Sequence, residues 1–190
     1  MATSNEINSA AERTKEKILD AAEALFAQER YKGTSVERVA RNVPVSKTTI
    51  YKYFDHKDGL FEATARRFAS RILAEVTSEF TAHDTIEEQI SSALIRKHKL
   101  CYEIRASSFA KELFEARHGV VRAIVGDLMT GIESAILRAL IEVGMRRADA
   151  TRCARLIAAT SIGLANTHTT RATTSKDLRF MVRAIVSSRE

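Results

Sequence analysis

A chain of 190 residues, 45% hydrophobic and 28% charged, has the composition of an ordinary globular protein and is long enough to bury a core without staples. Average usage would supply about 9 prolines and about 13 glycines; one proline and 7 glycines are too little turn chemistry for a β-sandwich or barrel, so an all-α fold is expected. A formal charge of +6 favours a polyanionic partner, and Cys101 and Cys153 are too few and too far apart for a disulfide framework.

In chain order, residues 1–12 read as a disordered lead-in. Ser9 and Glu12 have capping-box spacing and offer a start for the first helix, whose face Ile18, Ala22, Leu25 and Phe26 runs to about Gln28. A short second helix is expected from Thr34, again at capping-box spacing from Glu37, with Val36, Val39 and Ala40 facing the core. Asn42-Val43-Pro44-Val45 is a turn. Ser46 is a good N-cap for a third short helix that ends near Phe54. Asp55 or His56 caps a long fourth helix with the apolar line Phe61, Ala65, Phe68, Ile72, Val76 and Phe80. Four or five further helices follow. The first is opened by Asp84 and Glu87 and carries Ile86, Ile90, Leu94 and Cys101, and a shorter one holds Phe109 and Leu113. A long one runs through Val121, Ile124, Leu128, Ile132, Ile136 and Val143 and ends near Gly144. The last two span about Asp149–Thr170 and Ser175–Ser188. About nine helices result, with domains at 13–57 and 58–190.

Three short helices with a tight turn between the second and third make a helix-turn-helix, whose third helix can enter the major groove. On that helix Ile50 and Phe54 form one face, and Lys47, Thr48, Tyr51 and Lys52 the opposite, exposed one. Lysine reaches guanine edges or phosphate, threonine serves either partner, and a tyrosine hydroxyl reaches phosphate. From Arg30 to Lys57 there are seven basic residues against two acidic, net +5, most of the charge of the whole chain.

The blocks Ile18-Leu-Asp-Ala-Ala-Glu-Ala-Leu-Phe26, Tyr31-Lys-Gly-Thr-Ser-Val36, Val45-Ser-Lys-Thr-Thr-Ile-Tyr-Lys-Tyr-Phe54 and Lys57-Asp-Gly-Leu-Phe61 resemble, in order and distance, the TetR family of bacterial transcriptional regulators. The resemblance covers about 50 residues; the other two-thirds matches in helix count and length alone. It implies a homodimeric, all-helical repressor that binds a palindromic double-stranded DNA operator with its N-terminal domain and a small-molecule inducer with its C-terminal domain. Lys47, Thr48, Tyr51 and Lys52 fall on the family's base-proximal positions, and Ser35, Ser46, Thr49, Tyr53 and Lys57 on its phosphate contacts. Ser35, Ser46 and Lys57 also stand near helix N-termini, where backbone N–H groups favour anions. Arg30 and Pro44 stand where the family usually has glycine. Proline excludes a left-handed residue at 44, so Asn42 is expected to take any positive φ that the turn requires.

For dimerisation, which in the family uses the last two long helices, small residues such as Ala158, Ala159, Gly163 and Ala165 permit close approach. Leu156, Leu164, Leu178, Met181, Val182 and Ile185 supply burial; the same face also suits packing inside one chain. For an effector, Leu94, His98, Cys101 and Arg105 share a helical stripe with Tyr102 beside it, and Asn166, Thr167 and His168 end the next-to-last helix. Phe68, Phe109, Phe114 and Met129 read as plain core, and the two cysteines as buried structural thiols.

Five histidines without an i, i+4 pair and no closely spaced cysteines give no metal site; no phosphate loop, nucleophile elbow or other catalytic spacing is present, so neither cofactor nor enzyme activity is expected. No secretory signal precedes Lys17 and no apolar run approaches the ~20 residues of a membrane span, so a cytoplasmic protein without a membrane partner is expected. The alternative is a DNA-binding adaptor of the same fold that takes no inducer.

Overall fold

Eight α-helices and no strand are found among the residues described by the computed structural model, 4–105, 119–166 and 171–187. They are α1 (Ser4–Gly33), α2 (Val36–Arg41), α3 (Lys47–Tyr53), α4 (Lys57–Ser78), α5 (Ile86–Arg105), α6 (Gly119–Glu142), α7 (Arg147–Asn166) and α8 (Arg171–Ser187), with a single 3-10 turn at Glu79–Thr81 after α4. The described residues cluster in two compact units. One holds 4–68, 104–105 and 119–122; the other holds 69–103, 123–166 and 171–187. The division between these units falls inside α4, after Phe68.

In the first unit, Ile18, Leu19, Ala22, Leu25 and Phe26 of α1 are buried with Val36 and Val39 of α2, Ile50 of α3, and Leu60, Phe61 and Ala65 of α4. The expected apolar faces of these helices are therefore the core. Phe26 meets Phe61 edge-on, with ring centroids 5.0 Å apart, and Tyr31 meets Phe61 in the same manner at 5.0 Å. Arg67 of α4 binds three carboxylates spaced along α1, Glu16 and Asp20 at 2.8 Å and Glu23 at 3.0 Å. Their i, i+4, i+7 spacing puts all three on one face of the helix.

Several boundaries differ from expectation. α1 begins at Ser4, so residues 4–12 are helical and not a loose lead-in; the segment contains neither glycine nor proline, and Glu6, Ala10, Ala11 and Glu12 favour the helix. α1 also runs on to Gly33 across a kink at Arg30. The N-cap of α2 is Ser35, whose hydroxyl accepts from the Arg38 N–H at 3.3 Å, while the Thr34 hydroxyl donates back to the Arg30 carbonyl at 2.9 Å. α5 is capped by Thr85, which accepts from the Glu88 N–H and donates to the Glu88 carboxylate, one residue later than the Asp84 and Glu87 pair.

In the second unit, Ile72 and Val76 of α4, Ile86, Ile90 and Leu94 of α5, Ile124, Leu128, Ile132 and Ile136 of α6, and Ile157 of α7 are buried. α7 packs against α8. α6 is followed by Gly144 at φ 86°, with Gly144 N–H bonded to the Ile141 carbonyl and Met145 N–H to that of Leu140, a close in which a left-handed glycine satisfies the last carbonyls. α7 stops at Asn166 and α8 starts at Arg171, four residues before Ser175. Phe109, Leu113 and Phe114 lie outside the described residues.

Candidate nucleic-acid interface

The turn between α2 and α3 solves its geometry without a left-handed residue. Asn42 is right-handed, at φ −99° and ψ 0°, and the turn requires no positive φ of it. Its N–H caps the Val39 carbonyl, and its side-chain amide donates to the Arg38 carbonyl at 2.8 Å. The Val45 N–H then bonds the Val43 carbonyl at 2.8 Å, a three-residue γ-turn centred on Pro44. The inverse form of that turn needs a φ near −75°, which proline supplies. Among the described non-glycine residues, the positive φ lies instead at Arg30, φ 59° and ψ 174°.

Ser46 caps α3 as expected. Its hydroxyl accepts from the Thr49 N–H at 3.0 Å and pairs with the Thr49 hydroxyl at 2.8 Å. Opposite sides of α3 then separate cleanly. Ile50 and the following Phe54 are buried, while Lys47, Thr48, Tyr51 and Lys52 are exposed. The side chains expected near bases therefore share one solvent face. Ser35 and Ser46 stand at the N-termini of α2 and α3, and Thr49 and Tyr53 are half-buried. Lys57 opens α4, with its Nζ 4.0 Å from the centroid of the Tyr31 ring, and the Tyr31 hydroxyl bonds Asp58. These contacts fix Lys57 beside α1.

An acidic residue lies among these cations. Glu37 of α2 pairs with Lys47 on the exposed surface, and Lys47 also stands over the Tyr51 ring at 5.6 Å. The hydrogen bond from Lys47, helped by Glu37's own backbone and Ser35, holds the Glu37 carboxyl down at about 2; the same bond pushes the Lys47 ammonium up. Arg38 is paired with Glu29. Arg30, Lys32, Arg41 and Lys52 carry no ion pair among the described residues and supply the uncompensated charge of this region.

The second unit holds a cleft of about 210 Å³ between α5, α6 and α7. Leu94 lines it. His98 does not line it but meets the Ser161 hydroxyl at 3.0 Å, Cys101 is half-buried, and Tyr102 is 59% exposed and takes no part. The side chains of Arg105 and Asn166, and all of Thr167 and His168, lie outside the described residues. Missed from the sequence were Lys97, Glu133, Arg155 and Ser161. Lys97 sits on the very stripe of Leu94, His98 and Cys101, at i+3 from Leu94, and was passed over because a lysine is rarely buried. Met129, expected as core, is half-buried on the cleft wall.

Leu178, Met181 and Val182 are buried within the chain and Ile185 is half-buried. The large apolar side chains that α7 and α8 leave exposed are Leu156, Ile162 and, at 77% exposure, Phe180. Ala159 and Gly163 are exposed beside them and Leu164 is half-buried. Phe180 escaped notice because the sequence alone did not fix which side of α8 turns inward. Among the described residues no helix is long and apolar enough to cross a membrane, and no cluster of side chains suits a metal ion.

Residues 18–64 match the family model of bacterial regulatory proteins, tetR family. The chain is 27% identical over 143 residues to the fatty acid metabolism regulator protein of Bacillus subtilis, covering 68% of this chain and 74% of that one. It is 35% identical over 52 residues to the biofilm operon icaADBC negative transcriptional regulator IcaR of Staphylococcus aureus, a match spanning 27% of this chain and 28% of that protein. Its fold is shared with the transcriptional regulator FadR of Bacillus subtilis in complex with stearoyl-CoA, at TM-score 0.57, 16% identity, and coverage of 90% of this chain and 95% of that one.

Proposed function

We propose that the chain, a transcriptional regulator whose residues 18–64 match the tetR family of bacterial regulatory proteins, is a repressor that binds a palindromic DNA operator as a homodimer and is released by a small molecule. The observation that carries the reading is the face of α3. Lys47, Thr48, Tyr51 and Lys52 project together from a capped helix whose other side is anchored by Ile50, in a basic region where Arg30, Lys32 and Arg41 carry no ion pair among the described residues. One seven-residue helix reads few base pairs, and a two-fold pair reads twice as many, at half-sites about 34–36 Å or a multiple apart. Ser35, Ser46, Thr49, Tyr53 and Lys57 set the register on phosphates, and the base-proximal four read sequence.

Leu156 and Phe180 form the centre of the pairing surface of α7 and α8. Repression agrees with the negative regulator IcaR, and release by a ligand agrees with the relative solved with stearoyl-CoA. α4 contributes residues to both units, so an effector that prefers one setting of α4 shifts the population away from DNA by no more than that preference. The cleft, with its buried charge, favours this reading over an adaptor without an effector. The regulator works in the cytoplasm, where its DNA is.

Selection from random duplexes tests the proposal. A two-fold symmetric sequence should be enriched, with half-sites at the spacing above. Retention that depends on salt alone, with no sequence enriched, contradicts it.

A further inference from the structure

Lys97 is 5% exposed, and among the described residues its ammonium has no carboxylate partner. One of its three N–H groups donates to the Ser161 hydroxyl at 2.8 Å, and Ser161 is itself fully buried. Ser161, having accepted from Lys97, can donate its own proton to His98 Nε2 at 3.0 Å. The relay satisfies the hydroxyl and leaves the positive charge unanswered. A buried charge without a counter-ion costs several kcal/mol, and an apolar residue in its place costs nothing of the kind.

Lys97 and Leu94 form the buried floor of the cleft between α5, α6 and α7. Arg155, Ala159 and Ile162 are exposed at its rim. The rest of the lining is mostly apolar, with Glu133 the one carboxylate on its wall among the described residues. Two cations against one anion leave room for a single negative charge. Glu133 disfavours a more highly charged group such as a phosphate.

We propose that this cleft binds a small amphiphilic monocarboxylate, its anionic end on the Lys97 ammonium and its apolar tail along Leu94, Met129 and Ile162. The cleft is smaller than the roughly 300–1,000 Å³ of pockets for drug-sized ligands, so the tail is short. The site deepens the effector reading given above and rests on it for any consequence at DNA, but not for binding.

Calorimetry on the full chain tests it with octanoate, octan-1-ol and octylamine as probes, on the wild type, Lys97→Met and Ser161→Ala. Octanoate should bind the wild type roughly tenfold or more tightly than either uncharged or cationic analogue, the scale of one charge-assisted hydrogen bond. Lys97→Met should lose that preference, bind octan-1-ol as before, and melt no lower than the wild type, which shows that it folds. Ser161→Ala should retain the preference in weakened form. Equal binding of octanoate and octan-1-ol by the wild type, undiminished octanoate binding by Lys97→Met, or no octanoate binding at millimolar concentrations overturns the proposal. A separate titration adds octanoate to the protein–DNA complex. Binding without release of DNA keeps the carboxylate site and removes the effector role; release by another compound with no octanoate binding does the reverse.

Discussion

In the free protein the Lys47 ammonium is held by the Glu37 carboxylate, and a phosphate or a guanine edge has to displace it. Glu37 also brings a negative charge to the surface that meets DNA. Glu37→Gln should therefore raise affinity for duplex DNA a few-fold at low salt, measured by fluorescence anisotropy; unchanged or weaker binding would show that Glu37 positions Lys47 instead. The Glu37 carboxyl sits at about 2 when paired and near 4.5 when free. The pairing is thus complete above pH 4.5 and fades only as pH falls toward 2, so the gain should be constant from pH 6 to 8. Lys97 has the opposite sign. Burial lowers its ammonium below the ordinary value of 10.5, so its charge destabilises the folded chain at neutral pH and stability recovers as pH rises toward 10.5. Lys97→Met should stabilise by about 1–4 kcal/mol near pH 7, and the gain should shrink with rising pH in thermal melts. A melting point below the wild type at pH 7 would mean that the ammonium has a counter-ion in the apo protein.

At the scale of elements, two non-glycine residues replace the family's usual glycines, and the structure treats them in opposite ways. Pro44 centres a γ-turn with a φ proline already has, whereas Arg30 is forced to φ 59°, ψ 174°, a region nearly reserved for glycine. Arg30→Gly should stabilise the chain by roughly 1 kcal/mol, strain relieved less the added entropy of glycine. Pro44→Gly should destabilise it by about 0.4–1 kcal/mol by freeing the unfolded chain. Denaturant melts giving both changes the same sign would contradict the two backbone assignments. These cases also mark what the sequence could tell. Most of the apolar faces of α1 to α6 and the Ser46 cap were legible, because periodicity and capping are local; Val143, expected on the α6 line, is 47% exposed, and Phe68 and Phe80, expected on the α4 line, are half-buried. The choice of Ser35 over Thr34, or Thr85 over Asp84, was not, because neighbouring residues have the same chemistry and tertiary packing decides between them. Lys97 was illegible for a different reason, since its burial is set by α6 and α7, far away in sequence.

At the scale of the whole molecule, the proposed reading head lies in the first unit, and the proposed pairing surface and the cleft lie in the second. Phe180, 77% exposed, is the residue of the proposed pairing surface that sedimentation can test. The wild type should be a dimer at micromolar concentration and Phe180→Asp a folded monomer with weakened operator binding. A wild-type monomer, or a variant that still dimerises, would move the interface elsewhere. The central claim is that α3 reads DNA sequence, and binding to a selected and a scrambled duplex across a salt series addresses it most directly. Lys47→Ala and Tyr51→Ala should each cost about 1–3 kcal/mol on the selected duplex and much less on the scrambled one. Lys57→Ala should weaken both alike and reduce the salt slope by about one. Wild-type protein that binds both duplexes equally at every salt concentration, or neither at low salt, would contradict the account.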